Sequence, residues 1–407
     1  MRLAALALVL LAAPAAAGPG SDQEVGQVFR LDPADLPAPG VTASVANAAV
    51  VIERPSDATL RVPPGFVAGL FAEDLGHARS MVVAGNGDVL LAQSRDDRVS
   101  LLRDTDGDGR ADVVRTFLDD LAAPHGLAIR GGYLYVADLA GVWRVPYQPG
   151  DEAARAAPER VTAKGAFGGT RGHWTRNLAI APDGSLYVAI GSRFNVAEEK
   201  PPRATVQAFD ADGGGQRTFA AGLRNPVGIA FHPETGELWV VVNERDGLGD
   251  GLVPDFLAGL AGGDFFGWPY AYIGGNPDPD YGAARPDLVA ATKLPDVLFQ
   301  SHSAPLGLVF YDGDGFPAEY RGDAFVALHG SWNAARPTGY KVVRVPFEAG
   351  RPMGGYENFA VGFWSSGEET AEVWGRPAGL AVGADGSLLV ADDVGGTVWR
   401  IRWVGSP

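Results

Sequence analysis

One motif returns six times along the chain, and this repetition limits the possible folds more than any other feature. Each copy is a short apolar strand, a tight turn, and a second strand that ends in a small or acidic residue. The copies open at Ser80, Gly126, Asn177, Gly228, Gly307 and Gly379. In the third, Asn177-Leu178-Ala179-Ile180 passes through Pro182-Asp183-Gly184 into Leu186-Tyr187-Val188-Ala189. Asp-Gly and Asn-Gly supply the positive φ that a tight hairpin needs. The β-branched and aromatic runs around them suit a pleated, buried surface.

The first three intervals between copies are 46, 51 and 51 residues, which leaves room for four strands in each. Four-stranded sheets repeated radially leave few exposed edges. The expected fold is therefore all-β: a six-bladed β-propeller over residues 63–404, with long loop insertions near 246–300 and 346–375. A pair of β-sandwiches would have no reason to repeat one motif six times. The last copy is one strand short, and Phe66–Phe71 is a spare strand ahead of the first. That N-terminal strand is expected to complete the last blade and close the ring. Residues 18–62 read as an extended segment lying over the body.

The first 17 residues have a basic start at Arg2, an apolar run through Leu11 and a small-residue exit at Ala15-Ala16-Ala17. This is the pattern of a secretory signal peptide, too short to span a bilayer. A periplasmic or secreted location is expected, with no membrane span. There are no cysteines, which excludes thiol nucleophiles, cysteine zinc sites and Cys-x-x-Cys-His haem attachment. The net charge of −16 argues against nucleic acid as a partner, because phosphate binding needs a basic face.

In a propeller the first strand of each blade lines the axis, so residues just before those strands meet at one mouth. That phase holds His77, Arg79, His125, His173, Arg176, Arg224, Asn225, His302 and Arg376. An acidic protein that gathers arginine and histidine in one ring is built to hold a compact anion. Guanidinium forks pair carboxylates bidentately.

Six ordered motifs carry a resemblance. They are Gly172-His173-Trp174-Thr175-Arg176-Asn177, Gly222-Leu223-Arg224-Asn225-Pro226-Val227-Gly228, Val242-Asn243-Glu244-Arg245-Asp246, Phe266-Gly267-Trp268-Pro269-Tyr270, His329-Gly330-Ser331-Trp332-Asn333 and Gly375-Arg376-Pro377. Across roughly Val62 to Trp403 the chain resembles the pyrroloquinoline quinone (PQQ)-dependent sorbosone dehydrogenases, which are related to soluble quinoprotein glucose (aldose sugar) dehydrogenase. The resemblance implies an oxidoreductase that uses PQQ and Ca²⁺ on a small sugar substrate, an aldose or a sugar aldehyde. It passes electrons to a separate acceptor, a quinone or a cytochrome. His173 stands where the relatives have their general base, and Arg224 and Asn225 match the pair beside the cofactor. Arg79, His125, Arg176 and Arg376 are the further candidate cofactor ligands. The metal is expected in the loop with Glu244, Asp246 and Asp250.

Two departures bear on the sugar pocket. Gly172 precedes His173 where an Asp is expected, and the last copy ends in Asp392-Asp393 where the relatives place cations. Arg336 and Lys341 are candidates to restore that charge. Separately, Asp104, Asp106, Asp108 and Asp112 form the first half of a calcium loop, with Arg115 in place of its closing Glu. The same residues are compatible with a calcium-dependent propeller lactonase, or with a non-catalytic propeller that binds carbohydrate or protein.

Overall fold

The computed structural model describes residues 22–405. The leader read in residues 1–17 lies outside them. The described chain is nearly all-β, with one short α-helix at Pro286–Ala291. No helix in it is long and apolar enough to cross a membrane.

Among the described residues, six sheets of four or five strands carry the six copies. Their first strands are Ala78–Val83, Gly126–Arg130, Arg176–Ile180, Asn225–Phe231, Pro305–Phe310 and Pro377–Val382. In each, the first strand pairs antiparallel with the second. These first strands pack against one another in chain order, and the sixth packs against the first. The spare strand, Phe66–Ala72, pairs with Thr397–Trp403 and completes the sixth sheet. The long fourth copy is explained by residues 261–296, inserted before that sheet's last strand, Val297–Ser301.

The strand alternation explains how the sheets stack. In Val89–Gln93 all five residues are buried. Leu90 and Ala92 join a core with Leu127 and Val136 of the second sheet. Val89 and Leu91 face the other way, toward Leu389 and Ala391 of the sixth. Successive side chains point to opposite faces, so one apolar strand serves two cores. Burial of this kind stabilises by about 25 cal/mol per Å². The turns follow their composition: Asp183 Oδ1 accepts from the Ser185 N–H at 2.9 Å while Gly184 sits at φ +95°.

Residues 22–62 contribute two short strands outside the six copies. Val28–Phe29 adds a strand to the fifth sheet, and Val50–Val51 pairs with Glu372–Val373.

Candidate functional site

A cavity of about 400 Å³ opens at the ends of the first strands. It falls in the size range of small-molecule sites, roughly 300–1,000 Å³. His77, Arg79, His173, Arg224, Asn225, His302 and Arg376, all expected there from the repeat phase, line it. So do Glu244 and Asp246.

Three expected residues do not line it. His125 packs edge-on against the Trp174 ring and lines a second cavity of about 350 Å³ along the first strands. Arg176 is fully buried and donates to the carbonyls of His173, Thr175 and Gly169. Burial pushes its guanidinium down to about 9. Asp250 turns away, accepting from the Ala335 N–H at 2.6 Å. The reason for the first two lies in the ladders. The first strands of sheets one, four, five and six each carry a register irregularity near their start. Those of sheets two and three, which bear His125 and Arg176, run without one. A bulge inserts a residue and re-aims the side chains before it.

His173 is set by the second strand of its own sheet. Its N–H donates to the Ser192 carbonyl at 3.0 Å, and Nδ1 lies 2.9 Å from that carbonyl. Nδ1 is therefore the protonated nitrogen, and Nε2 keeps its lone pair. Burial, with Arg224 nearby, pushes the imidazole down to about 3, so it is neutral at any working pH. Gly172 is explained here as well. It sits at φ +82°, and a Cβ there would lie 2.3 Å from the Arg193 Cα, so an Asp cannot occupy this position.

Gly191 is similarly constrained by packing. A Cβ on it would lie 2.4 Å from Asn225 Oδ1 and 2.6 Å from His173 Cβ. Gly191→Ala is expected to cost about 1–3 kcal/mol, as overpacked sites do. It should also lower activity by up to about 10²-fold through displacement of His173. Denaturant midpoints and steady-state rates check both.

The arginines are not free cations. Asp393, singled out as a departure, is the hub of the opposite wall. It accepts from Arg79 Nη1 at 2.6 Å, His77 Nε2 at 3.1 Å and His329 Nε2 at 2.7 Å. Burial raises its carboxyl, but His329 and Arg79 outweigh this and hold it well below the usual range. Burial and Arg376 push His329 down to about 4, so it donates as a neutral imidazole. Asp392 instead caps a turn, accepting from the backbone of Arg376, Val394 and Gly395. Arg224 donates to Asp246 Oδ2 at 3.1 Å and to Asn195 Oδ1 at 3.0 Å. Arg376 bonds the carbonyls of His329 and Gly330. Arg95, exposed at the rim, was not anticipated. Neither Arg336 nor Lys341 lines the cavity. Arg336 is exposed elsewhere, and Lys341 is buried against Asp22.

Two buried carboxylates complete the wall. Burial pushes Glu244 up to about 7 and Asp255 up to about 6. Asp255, unforeseen from sequence, accepts from the Glu244 and Ala304 N–H groups. It thereby pins the turn in which His302 adopts φ +67°. Outside the cavity lining, Asp104, Asp106 and Asp108 bring their carboxylates together, while Asp112 is engaged by Thr105.

Several buried polar atoms of the lining lack a protein partner among the described residues: His77 Nδ1, Arg79 Nε, Thr175 Oγ1 and Asn225 Oδ1. Buried polar groups are nearly always satisfied, so orphans gathered on one cavity point to a ligand.

Comparison with known proteins agrees. The TrAA12-like family model matches residues 60–252 and 287–404, omitting much of the insertion before Val297. The PQQ-dependent pyranose dehydrogenase of Coprinopsis cinerea is 26% identical over 377 residues, covering 74% of this chain and 49% of that protein. The chain spans about half the length of the curated relatives it matches. Among solved structures, the holo PQQ domain of the Coprinopsis pyranose dehydrogenase superposes with TM-score 0.72 at 22% identity, covering 86% of this chain and 98% of that one. The PQQ-bound aldose sugar dehydrogenase of Streptomyces coelicolor gives 0.58 at 15% identity, with 86% and 99% coverage. Both share the fold. With the family model matched across both halves of the repeat array, the chain belongs to the TrAA12-like family, kin to the PQQ-dependent sugar dehydrogenases.

Proposed function

We propose that this chain is a PQQ-dependent sugar dehydrogenase, its six sheets forming a closed six-bladed propeller around the cavity. The observation that carries the reading is the convergence of His173, Arg224, Asn225 and Arg376 on one cavity lined with orphaned polar atoms. PQQ fits this donor set. Arg376, Arg79, Arg224 and the rim residue Arg95 would hold its carboxylates, and Asn225 would face its ring oxygens. His125 and Arg176 would act one layer behind, buttressing Trp174 and the His173 loop.

When bound, PQQ supplies a two-electron acceptor for a hydride from a sugar carbon. His173 does the proton work. Its Nε2 takes the proton of the hydroxyl on that carbon, an aldose hydroxyl or a hydrated aldehyde. The hydroxyl becomes strongly acidic as the carbon loses hydride, which offsets the weak basicity of a desolvated imidazole. Glu244 and Asp246 are the metal candidates. Among the described residues the cavity holds no cage of three converging ligands. Calcium there would rest on these two together with carbonyl oxygens and the ligand's own oxygens. The Asp104–Asp108 loop is a separate, structural calcium candidate. The leader composition supports a periplasmic or secreted enzyme, with electrons leaving to a quinone or cytochrome.

The test is reconstitution with PQQ and Ca²⁺, followed by dye reduction with aldoses, ketoses and sorbosone. A shifted cofactor spectrum and reduction with at least one sugar are expected. No spectral change and no reduction would overturn the reading, and lactone hydrolysis without PQQ would replace it with a lactonase. Arg224→Ala should weaken PQQ binding about 10–100-fold, the worth of one or two charge-assisted hydrogen bonds. Fluorescence titration checks this.

A further inference from the structure

The surface segment Gly40–Ile52 crosses beside the cavity rim and is bonded to three of the loops there. The Gly40 N–H donates to the Leu248 carbonyl at 2.8 Å, and the Asp250 N–H donates to Thr42 Oγ1 at 2.8 Å. The Val50 and Ile52 N–H groups donate to the carbonyls of Ala371 and Val373. Between these anchors stands Asn47. Its N–H donates to the Trp332 carbonyl at 2.7 Å, and its Nδ2 donates to the carbonyls of Ala334 at 3.0 Å and Glu369 at 2.7 Å. Its Oδ1 accepts from Thr370 Oγ1 at 2.8 Å. An amide is the side chain that supplies two donors and an acceptor in one plane.

The loop so held carries two lining residues. Trp332 stands at the rim with 52% of its surface exposed, so core packing does not place it. Asn333 donates to Asp246 Oδ1 at 2.5 Å and lies 3.1 Å from His302 Nδ1. We propose that Asn47 is a positioning residue for the cavity. It fixes the Ser331–Ala335 loop against the Glu369–Thr370 loop, and so sets where Trp332 and Asn333 meet a sugar. This rests on the cavity being the substrate site. Asn47 itself touches neither the cavity nor its ligand. Its effect should fall on sugar binding rather than on PQQ affinity or the chemical step.

Asn47→Asp keeps the size and the acceptor but loses the Nδ2 donors, and Asn47→Ala loses both. In the unliganded full-length protein, amide hydrogen exchange over residues 331–336 and 368–371 should rise on the order of 10-fold. The sugar KM should rise by a similar factor. The value of kcat and PQQ affinity should stay within about twofold, since the bonds of Asn47 reach neither His173 nor the arginines that would hold the cofactor. Unchanged exchange overturns the proposal, and so does raised exchange with an unchanged KM. A wild type that oxidises no sugar removes the functional reading alone. The exchange measurement then decides alone whether Asn47 holds the loop: unchanged exchange refutes it, and raised exchange supports it.

Discussion

His173→Ala is expected to keep PQQ bound and to lower turnover by about 10²–10⁴-fold, the usual worth of a positioned acid–base group. The expectation follows from two features. Nδ1 is committed to the Ser192 carbonyl, which leaves the other nitrogen as an acceptor. Among the described residues the imidazole forms no ion pair, so the arginines that would hold the cofactor are undisturbed. His173→Gln should be nearly as inactive, because an amide cannot take the proton. Single-turnover reduction of the bound cofactor measures the step directly. Retained turnover would show that another group accepts the proton. Lost PQQ binding would show that His173 is part of the cofactor grip.

Asp393→Asn is expected to destabilise the unliganded protein by about 3–5 kcal/mol, the cost of removing one partner from a buried ion pair. Asp393 is buried, and among the described residues it alone pairs with Arg79. The deficit should shrink on adding PQQ, whose carboxylates supply the missing negative charge to Arg79. It should also shrink at low pH. The carboxyl of Asp393 is held below its ordinary value, so its contribution is present above the ordinary carboxylate pKa of about 4 and is lost as pH falls below it. Denaturant midpoints at pH 7 and pH 3, with and without PQQ, check this. Equal stabilities at pH 7 would mean that Arg79 is satisfied without Asp393.

Much of the fold can be read from short apolar runs such as Val89–Ala92 and from turns such as Asp183-Gly184. They identify the strands, and the missing last strand identifies the role of Phe66–Ala72. The ring of site residues is legible only to within one residue. Arg176-Asn177 and Arg224-Asn225 look alike in sequence, yet only the second pair opens a strand with an irregular ladder. A single bulge decides whether a side chain meets the cavity or the core, and no local motif marks it. Asp393 and Asp255 were hidden for another reason. Their partners, Arg79 and Ala304, lie 314 and 49 residues away along the chain and meet them only where neighbouring sheets pack. A carboxylate that neutralises an arginine across the fold has no signature of its own. The one available sign was an acid where a cation was expected.

The central claim is that one cavity, bounded by His173, Arg224 and Arg376, receives the cofactor. A crystal structure of the protein with PQQ and Ca²⁺ tests it most directly. The account predicts the quinone between those three side chains, with Asn225 within hydrogen-bond reach of its ring oxygens. PQQ found elsewhere, or a cavity that stays empty at saturating PQQ, would contradict it.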